Sequence, residues 1–236
     1  MSHSIEDLAR NFGAVEVTPV SKFQKVVARR LTQSASEIPH VTHFDDVDVT
    51  ALEAHRKALA PEAKLSPLPF LIRALAVALA EFPTFNAALS DDGGSLILKR
   101  YFHIGVAVDG PLGLLVPVLR DVDTKDVRTL AAELSALSAQ ARTKGLPMQD
   151  MMGGCMTISS LGGIGGTGFT PIINQPEVAI LAVNPAAMKP VWDGATFVPR
   201  LMMPLSLSYD HRVINGADAA RFVLRIGGLL ATPEAL

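Results

Sequence analysis

One stretch of this chain concentrates side chains able to move protons. Ser208-Tyr209-Asp210-His211-Arg212-Val213-Ile214-Asn215-Gly216 sets an imidazole between an acid and a base. It lies where the alternating strand pattern MMPLSLSYD gives way to a helical pattern from about Ala217 to Leu230. Loops at strand ends often display catalytic groups, and an imidazole titrates near neutral pH, so His211 is a candidate general base. The same residues also suit a plain helix-entry turn with Asp210 and Arg212 paired to structural neighbours, and the residues alone leave both readings open. The other polar groupings say less. LGGIGGTG contains Gly163-x-Gly165-x-x-Gly168, formally a dinucleotide fingerprint. That fingerprint needs a helix directly after the glycines, and here FTPIIN follows, with Pro171. The glycines are expected instead to let the backbone turn tightly beside a ligand or a neighbouring chain. His40 and His43, three apart on an expected strand, point to opposite faces, and with no second pair and no cysteine partner they define no metal site. Ser159 ends a short strand, CMTIS, and Ser160 follows it before the glycines, where serine is a common turn residue. Cys155 reads as a packed core thiol.

The elements that must position these groups can be read from pattern. A polar arm, Met1 to Gly13, precedes AVEVTPV, which alternates like an edge strand. Ser21 to Ser36 reads as a helix with a basic face of Lys22, Lys25, Arg29 and Arg30, and HVTHFDDVDV as a strand. Thr50-x-x-Glu53 is a capping box that starts a helix at Ala51. Ser66 and Pro67 form an N-cap and first-position pair opening PLPFLIRALAVALAEF, which is apolar nearly all round and so expected to be buried. Leu96 to Asp109 and Leu114 to Val118 read as strands, and Arg128 to Lys144 as a helix stopped by Gly145. EVAILAV is a further strand, and KPVW and ATFVPRL form a hairpin about Asp193-Gly194. Strands, helices and hairpins intermingle, which indicates a mixed α/β sandwich rather than an all-parallel sheet.

Composition narrows the class. The 236 residues are 49% hydrophobic, 19% charged and 6% aromatic, with a net charge of −2. Scaling rules bury about 72% of the unfolded surface of such a chain, enough for one core. The apolar excess favours a buried subunit interface. The net charge argues against a nucleic-acid partner. A single cysteine excludes an intramolecular disulfide framework and makes a reducing compartment the default. The longest apolar run, Phe70 to Phe82, is cut by Arg73 and Glu81, so no membrane span is expected. The N-terminus has no secretory h-region.

Several segments together resemble one family. Asp210 to Gly216 is similar to the His-x-x-x-Asp-Gly signature of the acyltransferase component of 2-oxo-acid dehydrogenase complexes. IPHVTHF, KLSPLPFLIRAL, HIGVAVDGPLGLLVPVLRDVD and MTISSLGGIGGTGFTPIINQPEVAIL look like further segments of the same catalytic domain, in the same order, over about residues 14 to 230. The resemblance implies the chloramphenicol-acetyltransferase-like fold, one catalytic domain over residues 1–236, and acyl transfer between a dihydrolipoyl arm and coenzyme A. The glycine segment looks like that of the acetyl-transferring members of pyruvate dehydrogenase complexes and lacks the FGS of the succinyl class. Asn215 stands where the signature has Asp, as in some acetyl-transferring members, and excludes a mechanism needing a negative charge there.

On this likeness His211 is the base, Ser159 the hydroxyl that donates to the oxyanion, and Asn215 an uncharged hydrogen-bonding partner. An imidazole of ordinary pKa, about 6.5, faces a thiol of about 8.5, a gap of roughly 2.7 kcal/mol. Proton transfer concerted with attack tolerates that gap. The family's coenzyme A contacts fall on Arg56, Ser66, Asp109, Ser138, Ser160 and Asn184, Arg56 being a cation suited to phosphate. The resemblance also implies a homotrimer with its site between neighbouring subunits, which can assemble into a 24-mer or 60-mer core. Expected partners are lipoyl domains and the dehydrogenase and dihydrolipoamide dehydrogenase components. The lipoyl and peripheral-subunit-binding domains usual ahead of this domain have no counterpart here; they are expected on a longer chain or in trans. The expected location is the cytoplasm of a bacterium or the mitochondrial matrix. Rival readings are a structural core or docking homologue that lost the chemistry, a succinyl or branched-chain acyltransferase, and acetylation of a small hydroxyl compound on the same fold. PEVAIL and LLVPV speak against the last.

Overall fold

The computed structural model describes residues 4–59, 65–110 and 113–236. The first residues of the expected arm, Lys64 and the Pro111-Leu112 pair lie outside them. The helices are α1 (Ile5–Arg10), α2 (Lys22–Glu37), α3 (Thr50–Leu59), α4 (Leu68–Glu81), α5 (Val127–Thr143) and α6 (Gly216–Ala231). The strands are β1 (His40–Asp48), β2 (Ala87–Leu89), β3 (Leu96–Leu98), β4 (Ile104–Val106), β5 (Val118–Leu119), β6 (Met156–Ser160), β7 (Ala179–Val183), β8 (Ala187–Trp192) and β9 (Phe197–Asp210). The main sheet runs β1-β9-β7-β6-β4-β5, with β8 on the first half of β9, and β2-β3 form a separate ribbon. The β4-β6 and β6-β7 pairs are parallel and the other pairs of the main sheet antiparallel. The mixed sheet expected from the sequence is therefore present.

Register explains the two faces of the sheet. Val106, Ile158, Leu181 and Leu207 stand level across four strands and point into the core. Over this face pack α3, α4 and α6, with α4 also against α5. Helix α4 is buried on nearly every side, as its apolar sequence requires. Phe222 of α6 stacks on Phe85 at 4.1 Å and meets Phe82 edge-on. The opposite face carries hydroxyls: Ser159 lies level with Ala182 and Ser206, and Thr157 with Ile180 and Ser208. The C-terminal end of α2 covers part of it, where Ser34 Oγ donates to the Ile173 carbonyl at 2.7 Å and Ile38, Ile173 and Ile180 form a small apolar cluster.

Five expectations fail, one of them the strand over Leu114 to Val118, where only a bridge at Leu115 and the two-residue β5 form. AVEVTPV makes no strand; the segment is exposed and no strand among the described residues pairs with it. The single strand expected over Leu96 to Asp109 is two, β3 in the small ribbon and β4 in the main sheet, because the chain crosses from one sheet to the other between them. The Thr50–Glu53 capping box does not form. Asp48 Oδ1 accepts the Thr50 N–H, Thr50 Oγ1 accepts from Leu201 N, and Glu53 turns to Arg56. Ser66 does not cap α4, whose N-cap is Pro67 with no side-chain bond. The β8-β9 hairpin forms, with a four-residue loop in which Asp193 Oδ1 accepts from the N–H groups of both Ala195 and Thr196. Helix α2 begins as expected at Ser21, through a complete capping box with Gln24.

Candidate active site

His211 sits just beyond β9, exposed, its main-chain N–H donating to the Pro39 carbonyl at 3.1 Å. Among the described residues its ring has no hydrogen-bond partner. No group among the described residues therefore orients the imidazole through its second nitrogen. Asn215 is the N-cap of α6: its Oδ1 accepts from Asp218 N at 2.9 Å and its Nδ2 donates to Asp218 Oδ2 at 2.7 Å. The residue that stands in place of the signature's Asp thus fixes the helix entry four residues after the histidine.

Ser159 occupies the other end of the sheet. The register sets it level with Ser206, two strands across and five residues short of His211. At about 3.3 Å per residue and 4.8 Å per strand the two side chains are roughly 19 Å apart. A base and an oxyanion donor serving one carbonyl must each lie about 3 Å from the reacting atoms. One copy of this chain therefore cannot place both on the same substrate. Ser159 is half-buried and has no side-chain partner among the described residues, whereas Ser160 Oγ accepts from Gly162 N at 3.3 Å.

The end of the sheet that carries Ser159 gathers most of the other candidates. Asp109 follows β4, Ser160 ends β6 and Asn184 follows β7, three strands running in one direction. Ser138 lies on α5, whose Ala141 packs with Val108 and Leu115 beside Asp109. Asn184 is buried, and among the described residues both its Nδ2 and Oδ1 lack a partner, as does the neighbouring buried Ser206 Oγ. Above it Gly166 has φ +93, and a Cβ there would stand 3.1 Å from Asn184 Nδ2. Glycine at this position thus serves both a left-handed turn and a close approach, and no helix follows the glycine cluster.

Arg56 is engaged within the chain. Its Nε and Nη2 grip Glu53 at 2.8 and 2.6 Å, and its Nη1 donates to the Leu65 carbonyl at 2.6 Å, next to exposed Ser66. The guanidinium holds the Glu53 carboxyl below its ordinary pKa, and Glu53 in turn raises that of Arg56. With Lys57 Nζ also 3.3 Å from Glu53 Oε1, the cluster of two cations and one carboxylate keeps a net positive charge. His40 is structural, its Nδ1 facing the Ile38 carbonyl at 2.9 Å and its Nε2 accepting from Ile173 N at 3.1 Å. No cluster of metal-ligating residues occurs among the described residues. Cys155 is buried, and burial raises its thiol pKa, as suits a packed thiol.

Two features went unread in the sequence. Glu177, inside PEVAIL, is a buried carboxyl that accepts from Thr157 Oγ1 at 2.9 Å and Asn174 Nδ2 at 3.1 Å, its pKa pushed up to about 7 chiefly by burial. An acid next to an apolar strand was the available signal. Asp210 and Arg212 pair with each other rather than with other neighbours.

The mixed-sheet fold is shared with chloramphenicol acetyltransferase. A solved structure of that enzyme overlaps 89% of this chain and 96% of its own with a TM-score of 0.62 at 16% identity, a likeness of fold alone. The protein belongs to the family of 2-oxoacid dehydrogenases acyltransferase catalytic domains, whose model matches residues 12–236. Its curated relatives include dihydrolipoyllysine-residue acetyltransferase components of pyruvate dehydrogenase complexes. That of Azotobacter vinelandii is 55% identical over 95% of this chain and 36% of its own. That of Pseudomonas aeruginosa is 57% identical over 93% of this chain and 41% of its own. The chain thus spans about two fifths of the length of these relatives. Two structures overlap 97% of this chain and 96% of theirs at 54% identity and a TM-score of 0.93. One comes from a study of the roles of a serine, a histidine and an asparagine in the catalytic mechanism of the Azotobacter vinelandii dihydrolipoamide acetyltransferase. The other is the cubic core of the pyruvate dehydrogenase multienzyme complex.

Proposed function

We propose that this chain is the acetyltransferase core of a pyruvate dehydrogenase complex, moving an acetyl group between a dihydrolipoyl thiol and coenzyme A. One observation carries the reading. The serine, histidine and asparagine studied in the Azotobacter vinelandii enzyme have the same spacing along its chain as Ser159, His211 and Asn215 have here. Against a succinyl or branched-chain activity stands the 54–57% identity to acetyl-transferring relatives. The presence of both His211 and Ser159 favours an enzyme over an inert scaffold.

His211 takes the proton of the attacking thiol as its sulfur bonds to the thioester carbonyl, and Ser159 donates to the oxygen as it becomes negative. When the tetrahedral adduct collapses, the imidazolium returns the proton to the leaving sulfur. One cycle breaks one carbon–sulfur bond and forms another, with no net change in protons. Because Ser159 and His211 of one copy are roughly 19 Å apart, we assign the Ser159 end to one subunit and the His211 end to its neighbour, in a homotrimer. Exposed surface supports a shared interface. The chain exposes 13247 Å², against about 10,000 Å² for a compact monomer of its mass. The unpartnered amide of Asn184 suits the secondary amides of a pantetheine arm, with Asp109, Ser138 and Ser160 at the same end. Arg56, anchored to Glu53 and the Leu65 carbonyl through three of its five N–H groups, would meet a phosphate with the remaining two, beside exposed Ser66. Lipoyl domains would deliver the acyl group, with the dehydrogenase and dihydrolipoamide dehydrogenase components as further partners.

The test is acetyl transfer from acetyl-CoA to dihydrolipoamide by the assembled core. His211→Ala is expected to lower turnover by orders of magnitude with the oligomer intact. Ser159→Ala should lower it by about 10²–10³, the usual worth of one oxyanion donor. Wild-type turnover in either variant removes that residue's role.

A further inference from the structure

His211 has no side-chain tether among the described residues, so its position comes from its main chain. The residues on either side close a clamp across it. Asp210 Oδ1 accepts the main-chain N–H of Arg212 at 3.0 Å and its Nε at 2.9 Å. Asp210 Oδ2 accepts from Arg212 Nη2 at 2.6 Å and Nε at 3.1 Å. The same turn is pinned to its surroundings. Asp210 N donates to the Val178 carbonyl at 2.9 Å and His211 N to that of Pro39, while Val213 N and Ile214 N both donate to the Asp210 carbonyl at 3.0 Å.

The Asp210 side chain is 2% exposed and that of Arg212 41%. A carboxylate this deep is costly to bury unless paired, and among the described residues its hydrogen bonds come from residue 212 alone. A planar guanidinium accepts only a fork-on-fork approach, so the pair fixes direction as well as distance. Two residues locked in this way on each side of a third leave that third little freedom in its backbone dihedrals. The Tyr209 ring, 5.9 Å from the imidazole by centroids, bounds one side.

We propose that Asp210 and Arg212 are positioning residues for the reaction: their fork holds the main chain of His211 so that the imidazole meets the thiol. The proposal rests on His211 being the base. Misplacing a reacting group by about 1 Å can cost about 10²-fold in rate, so loss of the fork should appear in turnover rather than in substrate binding.

The experiment compares assembled cores bearing Arg212→Ala, Arg212→Lys, His211→Ala and the double variant His211→Ala/Arg212→Ala, assayed for acetyl transfer from acetyl-CoA to dihydrolipoamide. Arg225→Ala is the control. It removes a bidentate pair with Glu81 of similar geometry, 2.7 Å at both contacts, between α4 and α6. Arg212→Ala is expected to lower kcat about ten- to hundredfold with KM for both substrates within about twofold. Arg212→Lys, which keeps the charge but not the fork, should fall between, and it serves as the test if the alanine variant does not assemble. Arg225→Ala should keep wild-type kcat. The double variant should be no slower than His211→Ala alone, because a positioning residue has nothing left to position. Unchanged kcat in both Arg212 variants, or a double variant slowed by the full Arg212→Ala factor, overturns the proposal. Wild-type turnover in His211→Ala would instead overturn the base reading beneath it.

Discussion

Replacing Glu177 by Gln tests the electrostatics of the sheet's polar face. The carboxyl is fully enclosed, accepts from Thr157 and Asn174 through Oε1, and leaves Oε2 without a partner. Burial raises its pKa from 4.5 to about 7 in the folded chain. A raised carboxyl pKa means that the folded state favours the protonated form. The associated stability is fully present below about pH 4.5 and is lost as pH rises through about 7. At 1.36 kcal/mol per pH unit, ionisation at pH 8 costs the folded state about 3 kcal/mol, and at pH 5 under about 1. Glutamine copies the shape of the neutral acid and keeps the Oε1 acceptor. Glu177→Gln should therefore stabilise the core by about 3 kcal/mol at pH 8 and by much less at pH 5. Denaturant unfolding of both proteins across this range, at one fixed protomer concentration, reads the difference. Parallel stability curves, or a variant less stable at pH 8, would refute the reasoning.

Two further substitutions probe packing. Gly105→Ala should destabilise by about 1–3 kcal/mol. A Cβ there would stand 2.8 Å from Thr157 Oγ1 and 2.9 Å from Val116 Cγ1, and an unchanged melting midpoint would contradict this. Phe222→Ala removes the ring stacked on Phe85 at 4.1 Å and should cost about 3–5 kcal/mol. Denaturant titration showing a loss under 1 kcal/mol would contradict that packing.

What the sequence disclosed depended on how local the cause was. The start of α2 at Ser21, the apolar α4 and the glycine stop after α5 depend on residues close in sequence, and all three appear as read. Thr50 and Glu53 form a capping box on paper, yet Leu201 and Arg56, brought in by the fold, compete for the same side chains. The break between β3 and β4 and the unpaired AVEVTPV likewise depend on which strand lies alongside. His211 was visible as a lone imidazole at a strand end, but its role was not. Ser159 was indistinguishable from a turn serine without the family likeness. The separation of those two residues appears only in the register, and it is the ground for proposing a site shared between copies. Glu177 and the Asp210–Arg212 fork required the burial of each group to be known.

That shared site is the central claim, and mixing two inactive chains tests it most directly. His211→Ala chains keep Ser159, and Ser159→Ala chains keep His211. If each site takes its histidine from one subunit and its serine from the next, cores co-assembled from equal amounts of the two chains contain intact sites at about one interface in four, by random placement in a cyclic oligomer. Acetyl transfer from acetyl-CoA to dihydrolipoamide should recover to about a quarter of the wild-type rate in the mixture, while either chain alone stays inactive. A mixture no more active than its parents would contradict the account.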